Sequence, residues 1–145
     1  MSKPMKVELS IPCLSEFVGI VRLTVSGIAT RMNFSIEEIE DIKIAVSEAC
    51  TNAVQYAYDN VLDNRIFISC ILEDNRLEII IEDKGKGFDV AAIEGSKPLE
   101  IVPDKLGLGL GLTFIKSLMD EAYIDSIIGK GTIVRMVKFT TAKNN

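Results

Sequence analysis

Residues 5–11, MKVELSI, alternate apolar and polar side chains, the two-residue period of a strand with one buried face. The period then lengthens. Phe17, Val18, Val21, Val25 and Ile28 recur at helical spacing and predict a helix over roughly 15–32. A second helix is expected from Ser35 to about Tyr58, with Ile36, Ile39, Ile42, Val46, Ala49, Ala53 and Val54 on its apolar side. Its first residues, S-I-E-E, form a capping box in which Ser35 and Glu38 each satisfy a backbone N–H of the other. RIFISCILE and RLEIIIED read as two strands joined at the turn pair Asp74-Asn75. Between residues 88 and 106 the chain mixes Gly, Pro and charge with no sustained period, as functional or mobile segments do. The glycines of LGLGLGL then lead into a helix expected over about 110–121, and AYIDSII and TIVRMVKF flank a Gly129-Lys130-Gly131 turn. The order β-α-α-β-β-loop-α-β-β predicts a two-layer α/β (α+β) sandwich with antiparallel pairs.

A chain of 145 residues suits one domain with a single core, and we expect residues 1–145 to form one. With 48% hydrophobic and 26% charged residues it reads as folded rather than disordered. No apolar stretch reaches the ~20 residues of a membrane helix, and MSKPMKVELS lacks a signal-peptide apolar region, so a cytoplasmic location without membrane contact is expected. The net charge of −5 and the lack of a basic run argue against direct nucleic-acid binding. Cys13, Cys50 and Cys70 lack metal-site spacing and read as reduced, mostly buried thiols. There is no histidine, which excludes Ser-His-Asp hydrolases, His-ligated zinc and a self-phosphorylating histidine kinase.

Three polar or glycine-rich signals remain. Glu48 and Asn52 stand four apart inside SEACTNAVQYAY, and therefore on one helix face. Asp83, Gly85 and Gly87 close a strand, where bare backbone lets a flat ligand pack and a carboxylate can accept an exocyclic amine. Gly107, Gly109 and Gly111 precede a helix, a place where N–H groups cradle phosphate. Taken singly, each also has a plain reading: a solvated face, a strand-ending turn, a tightly packed helix start.

Their order, with Gly131-Thr132 in a late strand, resembles the GHKL (Bergerat) ATP-binding fold, which implies a mixed, mostly antiparallel sheet with helices on one face. EDIKIAVSEACTNAVQYAY, VRLTVSGIATRMNFS and LTFIKSLMDEAYIDS are similar to the anti-sigma-factor serine kinases of the RsbW and SpoIIAB type, over nearly the whole chain. That resemblance implies ATP and Mg²⁺ as cofactors, with Asn52 holding the metal and Glu48 as general base. It implies Asp83 on adenine N6, Gly85 and Gly87 at the ring, and Thr132 assisting Asp83 through water. Gly107, Gly109 and Gly111 would line the triphosphate under a lid at 88–106, where Lys105 is a phosphate contact or only a solubilising charge. Arg22 would touch protein partners or simply snorkel at the surface. Tyr56 stands where many relatives carry His.

The implied function is a homodimeric anti-sigma factor that holds a sigma factor of the general-stress sigma-B type. It would inactivate a STAS-type anti-anti-sigma protein by serine phosphorylation. An ATP-dependent sigma-binding module without kinase activity, the ATPase domain of another GHKL protein, and an α/β domain without nucleotide are the alternatives.

Overall fold

The structure, a computed structural model, describes residues 3–56, 64–87 and 103–141, with 103–110 as backbone alone. Strand β1 (Met5–Pro12) leads through a 3-10 turn at Ser15–Phe17 into α1 (Val18–Arg31), followed by α2 (Ile36–Tyr56). Then come β2 (Arg65–Leu72), β3 (Arg76–Asp83), α3 (Pro103–Leu118), β4 (Glu121–Ile127) and β5 (Gly131–Phe139).

The five strands form one sheet in the order β1-β2-β3-β5-β4. All four pairings among the described residues are antiparallel, so the expectation of a mixed sheet is corrected. The reason is topological: β3 and β4, linked by α3, run in the same direction, but β5 inserts between them and pairs antiparallel with both. Alternation sorts the two faces. Ile66, Ile68, Cys70 and Leu72 of β2 lie opposite Asp83, Ile81, Ile79 and Leu77 of β3 and are buried with them.

Helix α1 buries Val18, Val21, Val25 and Ala29, while α2 buries Ile42, Ala45, Val46, Ala49, Cys50, Asn52 and Ala53. Ile36 is 84% exposed, against its expected place in the apolar stripe. Six residues before Ile42 at about 100° per residue, it lies well round the helix from the buried face. Burial pushes the thiols of Cys13 and Cys50 up to about 11 and about 12, which keeps them protonated and inert near neutral pH.

The junctions follow local chemistry. Helix α1 ends with Asn33 at φ 65; Asn33 N–H donates to Thr30 O at 3.1 Å and Phe34 N–H to Ala29 O at 3.1 Å, a Schellman pair. Ser35 N–H then donates to Glu38 Oε1 at 2.8 Å and Glu38 N–H to Ser35 Oγ at 3.1 Å, the capping box read from the sequence. At the far end of α3, Lys138 on β5 donates from Nζ to Leu118 O at 2.6 Å and lies 3.5 Å from Asp41 of α2. This largely buried lysine satisfies a helix-end carbonyl and ties both helices to the sheet.

Helix α3 differs from its expected span. It begins at Pro103, whose fixed φ and missing N–H suit a first helical position, and ends at Leu118. Gly107, Gly109 and Gly111 therefore sit inside the helix instead of opening it. Gly costs about 1 kcal/mol relative to Ala in a helix interior, so the first half of α3 is weakly helical by propensity. Of the expected lid, residues 88–102 lie outside the described residues and residues 103–106 belong to α3.

Candidate nucleotide site

Helix α2 crosses the sheet with small residues, Ala49 and Ala53, beside Asn52, and this leaves a cleft between α2, α3 and the ends of β3 and β5. Asn52, Tyr56, Asp83, Gly87, Leu112 and Thr132 are among its walls. Five of the six, all but Leu112, come from positions singled out in the sequence.

One end of the cleft is Asp83, the last residue of β3 and only 7% exposed. Gly85 N–H donates to its Oδ1 at 2.9 Å, and the Thr132 N–H also bonds the carboxylate. Burial raises the Asp83 pKa, and these two donors work against that rise. Two glycines fix the backbone here. At Gly87 (φ 66) a Cβ would run into the carbonyl of Ile127, and at Gly131 (φ 115) into the backbone of Asp83. Only glycine meets both demands. Gly85 is buried in the same loop.

The other end is the Glu48–Asn52 face of α2. A Cβ on Gly111 would stand 2.8 Å from Glu48 Oε2 and 2.9 Å from Asn52 Nδ2, so the bare backbone of α3 rests against both groups. Asn52 is 8% exposed, and its Nδ2 has no hydrogen-bond partner among the described residues. An orphaned buried amide is costly, about 1–3 kcal/mol, unless something completes it. A half-turn of the amide exchanges its nitrogen and oxygen, so the same position can offer a donor to phosphate or a carbonyl to a hard cation. The donor set therefore fits Mg²⁺ bound together with phosphate oxygens, although no cluster of three or more acidic, Cys or His ligands exists among the described residues.

Glu48 opens on a different concavity. With Arg22 of α1 and Lys43, Ser47 and Thr51 of α2 it lines a surface groove between the two helices. Arg22 thus lies outside the cleft but shares a groove with Glu48. Gly107 and Gly109 have their places in the helical run of α3, and the Lys105 side chain falls outside the described residues. Two features escaped sequence reading: the contact of Gly111 with both α2 groups, and Ser126, whose hydroxyl lies 2.8 Å from Thr132 Oγ1. Ser126 carries no motif; only strand register brings it to the site.

The histidine kinase-like ATPase domain family matches residues 11–138. Serine-protein kinase RsbW of Halalkalibacterium halodurans is 44% identical over 144 residues, covering 94% of this chain and 85% of that protein. Serine-protein kinase RsbW of Bacillus pumilus is 45% identical over 139 residues, with coverages of 92% and 85%. Among solved structures, the RsbU and RsbW domains of a Mycobacterium tuberculosis protein align with a TM-score of 0.68 at 19% identity, over 94% of this chain and 32% of that chain. The histidine kinase domain of the Erythrobacter litoralis blue-light activated histidine kinase aligns with a TM-score of 0.57 at 21% identity, over 90% of this chain and 62% of that chain. At these identities the two structures speak for the fold alone. The sequence relatives go further, and the chain belongs to the serine-protein kinase RsbW family, built on the histidine kinase-like ATPase domain.

Proposed function

We propose that this protein-serine kinase binds Mg-ATP in the α2–α3–sheet cleft and transfers the γ-phosphoryl group to a serine of a STAS-type anti-anti-sigma protein. It holds a sigma factor of the sigma-B type when that antagonist is phosphorylated, acting as a cytoplasmic homodimer. The observation that carries this reading is the position of Glu48. Its carboxylate abuts Gly111, which also meets Asn52 of the cleft wall, and Glu48 lines the outer groove with Arg22. A general base for phosphoryl transfer to a protein must reach both the nucleotide and an incoming hydroxyl.

In this reading Asp83 accepts a hydrogen bond from the adenine amine, Gly87 lies against the ring, and Thr132 stands beside Asp83. Asn52 holds the metal through its carboxamide. Bound there, Mg²⁺ would neutralise charge on the phosphate oxygens. Glu48 takes the proton of the acceptor serine as its oxygen attacks the γ-phosphorus and the β–γ bond breaks to release ADP, and Arg22 contacts the protein that brings that serine. The chain needs no nucleophile of its own, which agrees with its lack of histidine.

Labelled ATP mixed with the purified chain and candidate STAS proteins tests the proposal. Label should appear on serine of the partner, and Glu48→Gln should reduce transfer at least about 100-fold while ATP still binds. Label on this chain, or full transfer by the Gln variant, overturns the mechanism.

A further inference from the structure

Asp83, Thr132 and Ser126 occupy one rung across three strands: β3 pairs Asp83 with Thr132, and β4 pairs Ser126 with Thr132. Opposed residues of an antiparallel pair share a face, so all three side chains lie on the helix side of the sheet. Asp83 and Thr132 line the cleft; Ser126, half-buried on the edge strand, stands behind them. Among its contacts, the Ser126 hydroxyl lies 2.8 Å from Thr132 Oγ1 and 3.2 Å from the carbonyl of Gly131.

A serine hydroxyl has one proton. The Gly131 carbonyl can only accept, so making both bonds requires Ser126 to donate to it and Thr132 to donate to Ser126. The chain then runs from Thr132 O–H to Ser126 O–H to Gly131 C=O, each bond polarising the next. Its consequence lies at the other end. With its proton committed to Ser126, Thr132 Oγ1 offers only lone pairs to the cleft, beside a carboxylate that likewise only accepts.

We propose that Ser126 is a positioning residue for nucleobase selection: it holds Thr132 as a hydrogen-bond acceptor, so that the Asp83–Thr132 rung takes a 6-amino purine and rejects a 6-oxo purine. This rests on the nucleotide reading of the cleft. An exocyclic amine brings two N–H donors to two acceptors. A 6-oxo group brings lone pairs against lone pairs, and only a Thr132 hydroxyl free to turn can meet it with a proton.

The test compares the binding of Mg-ATP and Mg-ITP, which differ in the 6-substituent and in the proton that the 6-oxo purine carries on N1, to wild type, Ser126→Ala and Ser126→Thr by calorimetry. Wild type should prefer ATP. Ser126→Ala should reduce the ATP-to-ITP preference about fivefold, the value of one ordinary hydrogen bond, and Ser126→Thr should retain it. Should the alanine variant not fold, Ser126→Cys, which weakens both bonds at similar volume, should shift the preference in the same direction. An unchanged preference in the folded variant, or equal weakening of both nucleotides, overturns the role of Ser126 and leaves the cleft reading standing. Wild type that binds neither nucleotide overturns the cleft reading and the selection proposal with it.

Discussion

The two ends of the cleft are finished to different degrees. At the Asp83 end the described donors and acceptors meet: Gly85 and Thr132 donate to the carboxylate, Thr132 meets Ser126, and Ser126 meets Gly131. At the Asn52 end a buried amide nitrogen has no partner among the described residues, and a glycine backbone rests against it. The first end is preorganised by a sheet, whose register costs nothing further when a ligand arrives. The second leaves a buried amide nitrogen unpartnered among the described residues and is faced by a helix whose first half is glycine-rich. In a nucleotide enzyme this division is physically sensible. Recognition of a flat base needs fixed donors and acceptors, whereas the phosphates and their metal bring their own charge and complete an unsatisfied site.

The comparison can be broken most directly at Asn52. Asn52→Ala removes an orphaned group, so the nucleotide-free protein should lose less than about 1 kcal/mol, since relief of the unpaired amide offsets lost packing. Mg-ATP at about 100 times the wild-type Kd, which stabilises wild type by about 2.7 kcal/mol, should then give almost no thermal shift. A full shift would detach the amide from the ligand.

Asp83→Asn comes next. The loss of a charged acceptor should weaken ATP binding at least about tenfold by calorimetry. Because burial raises the folded-state pKa of Asp83, ionising it costs stability. That contribution is present below the ordinary aspartate range near about 4 and is lost as pH rises through the raised value. Wild type should therefore lose stability relative to Asp83→Asn as pH increases across that window, measured by urea unfolding. A difference independent of pH would contradict the buried-charge account.

Gly111→Ala sharpens the contrast from the side of α3. The added Cβ meets only the ends of two flexible side chains, at 2.8 and 2.9 Å, so the fold should tolerate it. Ala also gains about 1 kcal/mol of helix propensity. The same shift displaces Glu48 and Asn52, so phosphoryl transfer should fall more than about tenfold while thermal stability holds or rises, a split that misplaced catalytic groups give. The smallest effect belongs to a control outside the cleft: Ser35→Ala should cost about 1 kcal/mol through the lost cap and leave the ATP Kd unchanged.

Much of this was legible in the chain. Sequence pattern placed the five strands and the first two helices to within about three residues but missed the start of α3, and S-I-E-E marked the start of α2 because capping is a local interaction. Glu48 and Asn52 stood out because a carboxylate and a carboxamide are unusual inside an apolar pattern, and Asp83 because it closes a strand just ahead of two glycines. Ile36 misled the reading, since a hydrophobic residue at a helix start is counted with the stripe although its azimuth is off. The glycines misled it too. They read as the start of the helix, whereas Pro103 begins it four residues earlier than Gly107.

What the sequence by itself determined is the set of local preferences: which segments are strands or helices, which faces are apolar, and which side chains carry charge or a carboxamide. Only the tertiary structure decided that β5 lies between β3 and β4, and so set Asp83, Thr132 and Ser126 on one rung. It alone brought Gly111 against Glu48 and Asn52, and laid Lys138 under the end of α3. The physical reason is range. Propensity and period act within a turn or two of the chain, whereas pairing across a sheet joins residues whose separation along the chain carries no local trace.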